Sequence, residues 1–451
     1  MTRRLLRFFL GREWVVRALK GLYTTFFEEI SRIRNSNPDI REVMPMPVRR
    51  SELAEPRINL LLPGLSERHV FGGIATALEF LKGFEGNAPN FRIIVTDETR
   101  LAETEHRRFP GWDFVTLGDE DRGGRRIVPA EDREQASLAV AGGDRFIATS
   151  WWTAHIARDI LRQQRDLFAG AAPSFIYLIQ DFEPGFYPWS ARYVLAEQTY
   201  QDPDTYVPVF NTGLLKDHSV RLGLVPADAL HFDPVINEGV QESLRKRPAS
   251  RERQVLVYGR PTVERNAFPL VVMSLRRLVA AGDVSDWRFV SVGEAHAPVA
   301  LGKGKVLESL GKLSIDEYGE QLGKSFAGLS LMVSPHPSYP PLEMAAAGMR
   351  VVTNGYGEKD LSQWAENIVS VRHPNPQAIA DALGEQLSRY GAHGDPETPE
   401  RGYSREFEHY LHGRLDFSGL ARAALAEMDR RRGDLDAAAA VPVAKAERGD
   451  G

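Results

Sequence analysis

A proline-rich loop followed by a short helix is the segment of this sequence best suited to bind a ligand. The run Ser334–Gly348 reads as a strand end, a loop, a helix that begins at Pro341 and a glycine stop. A helix that opens directly after a strand offers backbone N–H groups to an anion, usually a phosphate. Glu343 lies in its first turn, where a carboxylate can accept hydrogen bonds from sugar hydroxyls. The segment predicts a nucleotide-sugar site, although an αβ corner without a ligand has the same spacing.

Two arginines follow the first predicted strand of the second half of the chain. Arg260 leaves the end of that strand, and Arg265 lies near the start of the next helix. Each guanidinium group can form paired hydrogen bonds with phosphate oxygens, so the two arginines together could neutralise a diphosphate. If the diphosphate departs during a reaction, its charge grows in the transition state and the same contacts become catalytic. The alternative is a pair of surface arginines.

Further candidates lie in the first half of the chain. Asp181 and Glu183 follow a predicted strand and stand among aromatic residues. Aromatic faces suit sugar rings, and carboxylates bind hydroxyl groups or act as bases, so we expect one of the two to orient an acceptor. A packed aromatic corner is the alternative. Gly72 and Gly73 would let the backbone approach a ligand at a helix start, although a glycine pair is usually just a turn.

The sequence also argues against several other chemistries. It contains no cysteine, which excludes disulfides, thiolate zinc sites, iron–sulfur clusters and a cysteine nucleophile, and which fits the reducing cytosol. The pattern Asp202-Pro203-Asp204 is more typical of a turn than of a metal site. No zinc-type histidine spacing occurs, so we predict no catalytic metal. The net charge of −5 gives no indication of nucleic-acid binding.

These residues need a framework, and the sequence shows a strand–helix rhythm twice. Short apolar strands that alternate with helices indicate parallel sheets covered on both faces. A length of 451 residues suits two domains. We therefore predict an α/β protein with two doubly wound Rossmann-like domains that face a central cleft, where ligands bind beyond the carboxyl ends of the strands. One strand of the second domain is expected at Leu329–Val333.

Changes in composition suggest the domain boundaries. A polar, basic stretch at Ser243–Arg253 is the expected linker between the two domains. The predicted parts are an amphipathic N-terminal helical region (1–50), a first Rossmann-like domain (51–244), a second Rossmann-like domain (254–400), a C-terminal helix (401–431) and a disordered tail (432–451).

The first twenty residues are basic and rich in aromatic and aliphatic side chains. A helix over Met1–Lys20 could lie in a membrane interface and bind anionic lipid, or it could pack on the protein's own core. No apolar run is long enough to span a bilayer. We expect a cytoplasmic protein. If the helix binds lipid, the protein would lie at the inner face of the cell membrane.

Together these residues resemble the retaining GT-B glycosyltransferases of family 4, over roughly Arg57 to Arg389. The resemblance implies that a glycine loop at Gly72 and Gly73 lies below the donor phosphates. It also implies that Arg260 and Arg265 hold the diphosphate, with an arginine in place of the family's lysine. The departing phosphate would itself help to take the acceptor proton, so no dedicated base is needed.

One family motif is incomplete in this chain. Glu343 matches the second Glu of the Glu, seven residues, Glu motif, which binds ribose, whereas the first Glu falls on Pro335. Because that first Glu normally touches the transferred sugar, His336 or the backbone of Pro337–Tyr339 would take over part of its role. The expected nucleotide-sugar contacts are Gly72, Gly73, Gly259, His336, Tyr339, Pro340, Leu342 and Glu343.

A closer similarity is to WsaF-type rhamnosyltransferases, which build rhamnose-rich cell-surface glycans from dTDP-L-rhamnose. It rests on Gln180–Pro184, Tyr206–Thr212 and Tyr258–Pro261. The resemblance implies a dTDP-sugar donor, no metal or other cofactor, and a glycan or lipid-linked glycan acceptor. It further implies that the first domain (51–244) binds the acceptor, that the second domain (254–400) binds the nucleotide sugar, and that a C-terminal helix crosses back to the first domain. The missing sugar-binding Glu is consistent with a 6-deoxy sugar.

The predicted function is transfer of a sugar, L-rhamnose, from a dTDP-sugar to a growing cell-surface glycan. Two alternatives stay open. A sugar-nucleotide epimerase of the same fold would need two well-placed acid/base groups and no acceptor. A non-catalytic sugar-nucleotide-binding scaffold in glycan assembly would explain the missing Glu as degeneration.

Overall fold

A computed structural model describes residues 39–65, 72–98, 100–101, 103–168, 174–245, 250–391 and 403–440. The chain divides into two units at Met44. The described part of the first unit, residues 39–44, contains a 3₁₀ turn at Arg41–Val43. All elements named below belong to the second unit, which begins at Pro45.

The described residues form strands and helices that alternate along most of the chain. The strands are β1 (Val48–Arg50), β2 (Arg57–Leu62), β3 (Asn90–Val95), β4 (Asp113–Phe114), β5 (Arg125–Pro129), β6 (Leu138–Val140), β7 (Arg145–Ala148), β8 (Phe175–Ile179), β9 (Tyr206–Asn211), β10 (Leu230–Phe232), β11 (Glu252–Gly259), β12 (Arg288–Gly293), β13 (Val299–Gly302), β14 (Lys305–Gly311), β15 (Ser325–Leu329), β16 (Arg350–Asn354) and β17 (Ile368–Val371). The helices are α1 (Gly73–Lys82), α2 (Glu103–His106), α3 (Trp151–Leu167), α4 (Ala191–Gln198), α5 (Gly213–Arg221), α6 (Glu238–Arg245), α7 (Phe268–Ala281), α8 (Ile315–Lys324), α9 (Tyr339–Ala346), α10 (Pro376–Ser388), α11 (Arg405–His412) and α12 (Phe417–Ala440).

The first large sheet has eight parallel strands in the order β10-β9-β8-β7-β2-β3-β5-β4. All six residues of β2 are buried, as expected of a central strand covered on both faces. Neighbouring residues point to opposite faces and pack into two separate apolar cores. Leu61 and Phe146 belong to one core, and Leu60 and Ile147 to the other.

The second large sheet has seven strands in the order β13-β14-β12-β11-β15-β16-β17. Its pairings are parallel except that β13 runs antiparallel to β14. This sheet also separates two cores, with Val255 and Val257 on one face and Leu256 on the other. The predicted architecture of two α/β domains with parallel sheets is therefore confirmed.

The last two helices pack on different sheets. Phe407 and Tyr410 of α11 lie in a core of the second sheet, whereas Ala421 and Met428 of α12 lie in a core of the first. Helix α12 continues to Ala440 and so extends into the segment predicted to be a disordered tail from residue 432. Residues 441–451 lie outside the described part of the chain.

The change from the first sheet to the second comes earlier than the predicted boundary at residue 244. Helix α6 already packs Val240 into a core of the second sheet, beside Leu256 and Leu322. In the predicted linker, Arg251 is 4% exposed and donates hydrogen bonds to the carbonyls of Leu322 and Ser325. The polar, basic composition suggested a linker. Composition alone cannot show that backbone carbonyls satisfy the buried guanidinium of Arg251.

Two other local predictions were wrong. Residues up to 50 were expected to be helical, but Val48–Arg50 form β1, which pairs in parallel with β6. The strand expected at Leu329–Val333 lies earlier, as β15, because Ala327–Leu329 pair with β11 while Leu331 is buried beyond the end of the strand.

The segment Met1–Lys20 lies outside the described residues. Among those described, no helix is both long and apolar enough to cross a membrane.

Candidate functional site

The carboxyl edges of the two large sheets meet at Asp181, directly beyond β8. Its carboxylate accepts a hydrogen bond from the Ser334 hydroxyl, which belongs to the loop between β15 and α9. Its Oδ2 atom lies 3.3 Å from Nε of Arg265, which follows β11. The fold thus brings together two predicted site residues from different domains.

Arg265 is held by charge and by an aromatic ring. Its guanidinium carbon lies 4.4 Å from the centre of the Phe186 ring, a cation–π contact. Within the described part of the chain, the Nε atom makes no hydrogen bond, although it is buried and close to Asp181. A guanidinium paired by charge but not aligned for hydrogen bonding can gain directed bonds from a phosphate group.

Arg260 and Gly259 differ in what they offer a ligand. Arg260 is half-buried and interacts with the Tyr258 hydroxyl, whose pKa is raised by burial. Gly259 is buried, and a Cβ atom there would overlap the Ser291 hydroxyl and crowd the Phe268 ring. Gly259 therefore serves the close packing of β11 on its neighbours, whereas Arg260 presents the charge.

The helix after the proline-rich loop begins at Tyr339, two residues before the predicted start. Pro340 and Pro341 therefore occupy its second and third positions, and neither has a backbone N–H. Of the first three helical residues only Tyr339 has a backbone N–H, so this terminus offers an anion fewer donors than predicted. Gly348 ends the helix with a φ of 80°, as the sequence indicated.

Two buried basic groups support the same loop. His336 is 7% exposed, and its Nδ1 atom accepts a hydrogen bond from the backbone N–H of Ser338 (3.0 Å). Burial lowers the pKa of His336 to about 4, so the ring is neutral at pH 7. Lys359 is 2% exposed and donates to the carbonyls of Met332 (2.6 Å) and His336 (3.4 Å). Burial lowers its pKa to about 7, against the effect of Asp181.

Helix α9 places three predicted residues in different surroundings. Glu343 accepts a hydrogen bond from the Tyr318 hydroxyl (2.9 Å), and burial raises its pKa to about 7. Leu342 is fully buried in the core, so its side chain packs the domain and does not face a ligand. Pro340 is likewise buried, at the helix start. Of these three, Glu343 is the one with ligand-binding chemistry.

Tyr339 of α9 contacts two elements of the first domain, β9 and α1. Its hydroxyl lies 3.3 Å from the Asn211 amide nitrogen, which donates to it, and it also interacts with Thr76 in the first turns of α1. That helix starts at Gly73 after Gly72, so the beginnings of α1 and α9 lie near each other. Residues 66–71 of the glycine loop lie outside the described part of the chain.

Glu183 does not join the contact around Asp181. It accepts hydrogen bonds from the Trp151 backbone N–H and the Tyr177 hydroxyl, both in the first domain. Burial outweighs these bonds and raises its pKa to about 8, so the carboxyl group is mostly protonated at pH 7. Such a group can donate as well as accept a hydrogen bond.

Sequence reasoning missed three polar partners in this region: Asn211, Ser334 and Lys359. Asn211 ends β9, and Lys359 follows the end of β16 by a few residues. The rule that ligands bind beyond the carboxyl ends of parallel strands could have identified both.

Asp202 and Asp204 flank Pro203 at a 3₁₀ turn before β9. The described residues contain no group of three His, Cys, Asp or Glu side chains placed to hold a metal.

Comparison with known proteins identifies related sequences and folds. Residues 57–213 match the family described as WsaF, N-terminal domain, and residues 253–384 match WsaF, C-terminal domain. The O-antigen biosynthesis protein RfbC of Myxococcus xanthus is 29% identical over an alignment of 374 residues that covers 79% of this chain. The chain spans 27% of the length of that relative.

A solved structure is similar over most of the chain. It is an α,α-trehalose-phosphate synthase (UDP-forming) from Burkholderia vietnamiensis, with a TM-score of 0.50 and 11% sequence identity. The match covers 88% of this chain and 99% of that structure. At this level of identity the comparison shows a shared fold, the GT-B fold of two α/β domains.

Proposed function

Because the chain matches both WsaF domains in order and has the GT-B fold, we propose that it is a glycosyltransferase of polysaccharide biosynthesis. The observation that carries this proposal is the contact of Asp181 with Arg265 and Ser334. It places an acidic group of one domain beside a basic group of the other. A reaction between two substrates needs both groups at the same place. The epimerase alternative lacks such support, because it needs no second substrate.

The donor in this proposal is dTDP-L-rhamnose, and the reaction retains the anomeric configuration. Both statements rest on the similarity to WsaF-type enzymes and to family 4. The absence of a carboxylate at Pro335 fits a sugar that lacks one hydroxyl group. No metal or other cofactor takes part in the proposed reaction.

Arg260 and Arg265 would bind the diphosphate of the donor. As the bond between the sugar and the phosphate breaks, negative charge builds up on the diphosphate, and both guanidinium groups stabilise it. The acceptor oxygen forms the new bond to the sugar, and its proton passes to the departing phosphate. Glu343 would bind the ribose, oriented by Tyr318.

Donor binding would also change the partners of Asp181. A phosphate that takes Arg265 separates this guanidinium from the Asp181 carboxylate, which is then free to orient the acceptor hydroxyl. Glu183, held at the start of α3, would assist from the same edge of the sheet. Donor and acceptor binding would thus be coupled through a single ion pair.

The acceptor would be a glycan or a lipid-linked glycan of the cell envelope, bound mainly to the first domain. The similarity to an O-antigen biosynthesis protein supports this class of product. A peripheral position at the inner face of the membrane, through residues 1–20, belongs to the same proposal.

A transfer assay tests the function directly. The protein is incubated with dTDP-L-rhamnose and a rhamnoside acceptor, and the product is identified by mass spectrometry and its anomeric configuration by NMR. Donor alone is the control, since isomerised donor would indicate an epimerase. UDP-, GDP- and ADP-sugars test the nucleotide, and a Pro335→Glu variant should change the donor preference. No transfer from any donor, together with tight nucleotide binding, would favour the scaffold alternative.

A further inference from the structure

An exposed tryptophan and a half-buried tyrosine pack together in the segment that follows Asp181. Trp189 is 89% exposed, and its ring centre lies 4.8 Å from that of Tyr193 at an angle of 43°. Val194, the next residue, is 60% exposed. Single exposed apolar side chains are ordinary, but a tryptophan paired with a second ring on one surface forms a patch that a ligand could cover.

Local hydrogen bonds hold this aromatic pair in place. Ser190 caps helix α4, and its hydroxyl accepts a hydrogen bond from the Tyr193 backbone N–H (3.2 Å). The Tyr193 hydroxyl donates to the Glu197 carboxylate one helical turn later (3.2 Å). The ring of Tyr193 is therefore fixed before any ligand arrives, and a carboxylate lies at its edge.

The pair is continuous with the candidate active site. The segment that carries Trp189 also carries Asp181, and the ring of Phe186 lies under the Arg265 guanidinium. Trp189 follows Phe186 by three residues, so its Cα lies within about 11 Å of the Phe186 Cα. Tyr187, between them, accepts a hydrogen bond from the Trp151 indole N–H (3.0 Å), which anchors the segment to α3. One extended ligand can reach both Arg265 and Trp189.

We propose that Trp189 and Tyr193 form an acceptor subsite that binds a sugar unit of the glycan beyond the one that reacts. This rests on the function proposed above. A pyranose ring presents C–H groups on one face and hydroxyl groups around its rim, and L-rhamnose adds a methyl group. The two rings match the apolar face, and the Glu197 carboxylate can accept a hydrogen bond from a rim hydroxyl. A carboxylate at this edge favours a neutral sugar over an anionic lipid surface.

Binding can be measured without turnover. Isothermal titration calorimetry of the full chain measures the binding of methyl α-L-rhamnoside and of an α-L-rhamnose trisaccharide. Trp189→Ala should weaken trisaccharide binding up to about tenfold, the effect of losing one aromatic stacking contact of about 1.4 kcal/mol. The single-sugar probe should be affected much less. Trp189→Phe, which keeps a ring, should retain most of the affinity.

Met273→Ala is the matched control, since Met273 is a 51% exposed apolar residue on helix α7. Equal trisaccharide affinity of Trp189→Ala and the wild type, or no trisaccharide binding by the wild type, would overturn the subsite. If Trp189→Ala loses binding to anionic vesicles but keeps its trisaccharide affinity, the subsite would be overturned in favour of a membrane contact. Thermal stabilisation by nucleotide tests the donor site separately and should be the same in Trp189→Ala and Met273→Ala. A failure of the proposed function would therefore be recognised independently of the subsite.

Discussion

Two clusters of buried charge lie at opposite edges of the first sheet. At the amino edge, Arg57 is 1% exposed and makes paired hydrogen bonds to both Asp144 and Asp121, at 2.7–3.3 Å. At the carboxyl edge, Asp181 and Arg265 lie 3.3 Å apart, but Arg265 Nε makes no hydrogen bond with any residue that the structure describes. The first cluster satisfies its charges internally, whereas the second keeps binding capacity for a ligand.

The carboxyl groups at the two edges also differ in their protonation. Burial alone would raise the pKa of Asp121, but hydrogen bonds from Arg57 and Ser51 hold it below its ordinary value. At the carboxyl edge burial dominates and raises the pKa of Glu183 to about 8. Ion-pair networks such as that of Asp121 also shift pKa values, but a buried acid that stays protonated near pH 7 is a candidate for a functional site.

The largest expected effect is on stability at the amino edge. Asp144→Ala leaves the buried Arg57 and Arg92 without their shared carboxylate, which should lower the free energy of unfolding by about 3–5 kcal/mol. Urea unfolding measures it. Asp429→Ala, which removes a 60% exposed partner of Arg145, is the control and should cost about 1 kcal/mol or less. Similar losses for both variants would mean that burial does not distinguish these pairs.

A large effect on turnover with little effect on stability is expected at the carboxyl edge. Arg260→Ala should lower kcat about a hundredfold or more, the scale of losing one donor to a transition-state charge. Arg276→Ala is the control, since this exposed arginine donates to the Ala300 carbonyl in the same domain, away from the strand end. Near-normal turnover of Arg260→Ala in the transfer assay would refute its role.

A third effect is expected on the pH dependence of stability, and it is the smallest of the three when counted per pH unit. Because the pKa of Glu183 is raised from 4.5 to about 8, the folded state holds a proton that the unfolded state releases between these values. The free energy of unfolding therefore falls as pH rises through that window, with a slope of at most about 1.4 kcal/mol per pH unit. In Glu183→Gln this contribution should disappear. Parallel pH profiles for variant and wild type, from urea unfolding at pH 5–8, would contradict the assignment.

The sequence predicted the architecture because apolar runs and glycine stops depend on local chemistry. Gly348 ends its helix as expected, and the structure places Asp181 beside Arg265, both of which were predicted as site residues. Their contact could not be foreseen, since it depends on how two domains pack together. The start of α9 was misplaced because Pro341 suits the first helical position equally well. Arg251 was misread because its partners are backbone carbonyls from distant strands and helices.

The central claim is that the carboxyl edge binds a nucleotide diphosphate through the arginines, and thermal unfolding with dTDP, UDP, GDP and ADP tests it most directly. A ligand that binds only the folded state raises the melting temperature by mass action. We expect dTDP to raise the Tm of the wild type and of Arg276→Ala, and this shift to be largely lost in Arg265→Ala. An equal shift in Arg265→Ala, or no shift of the wild type with any of the four nucleotides, would contradict the account.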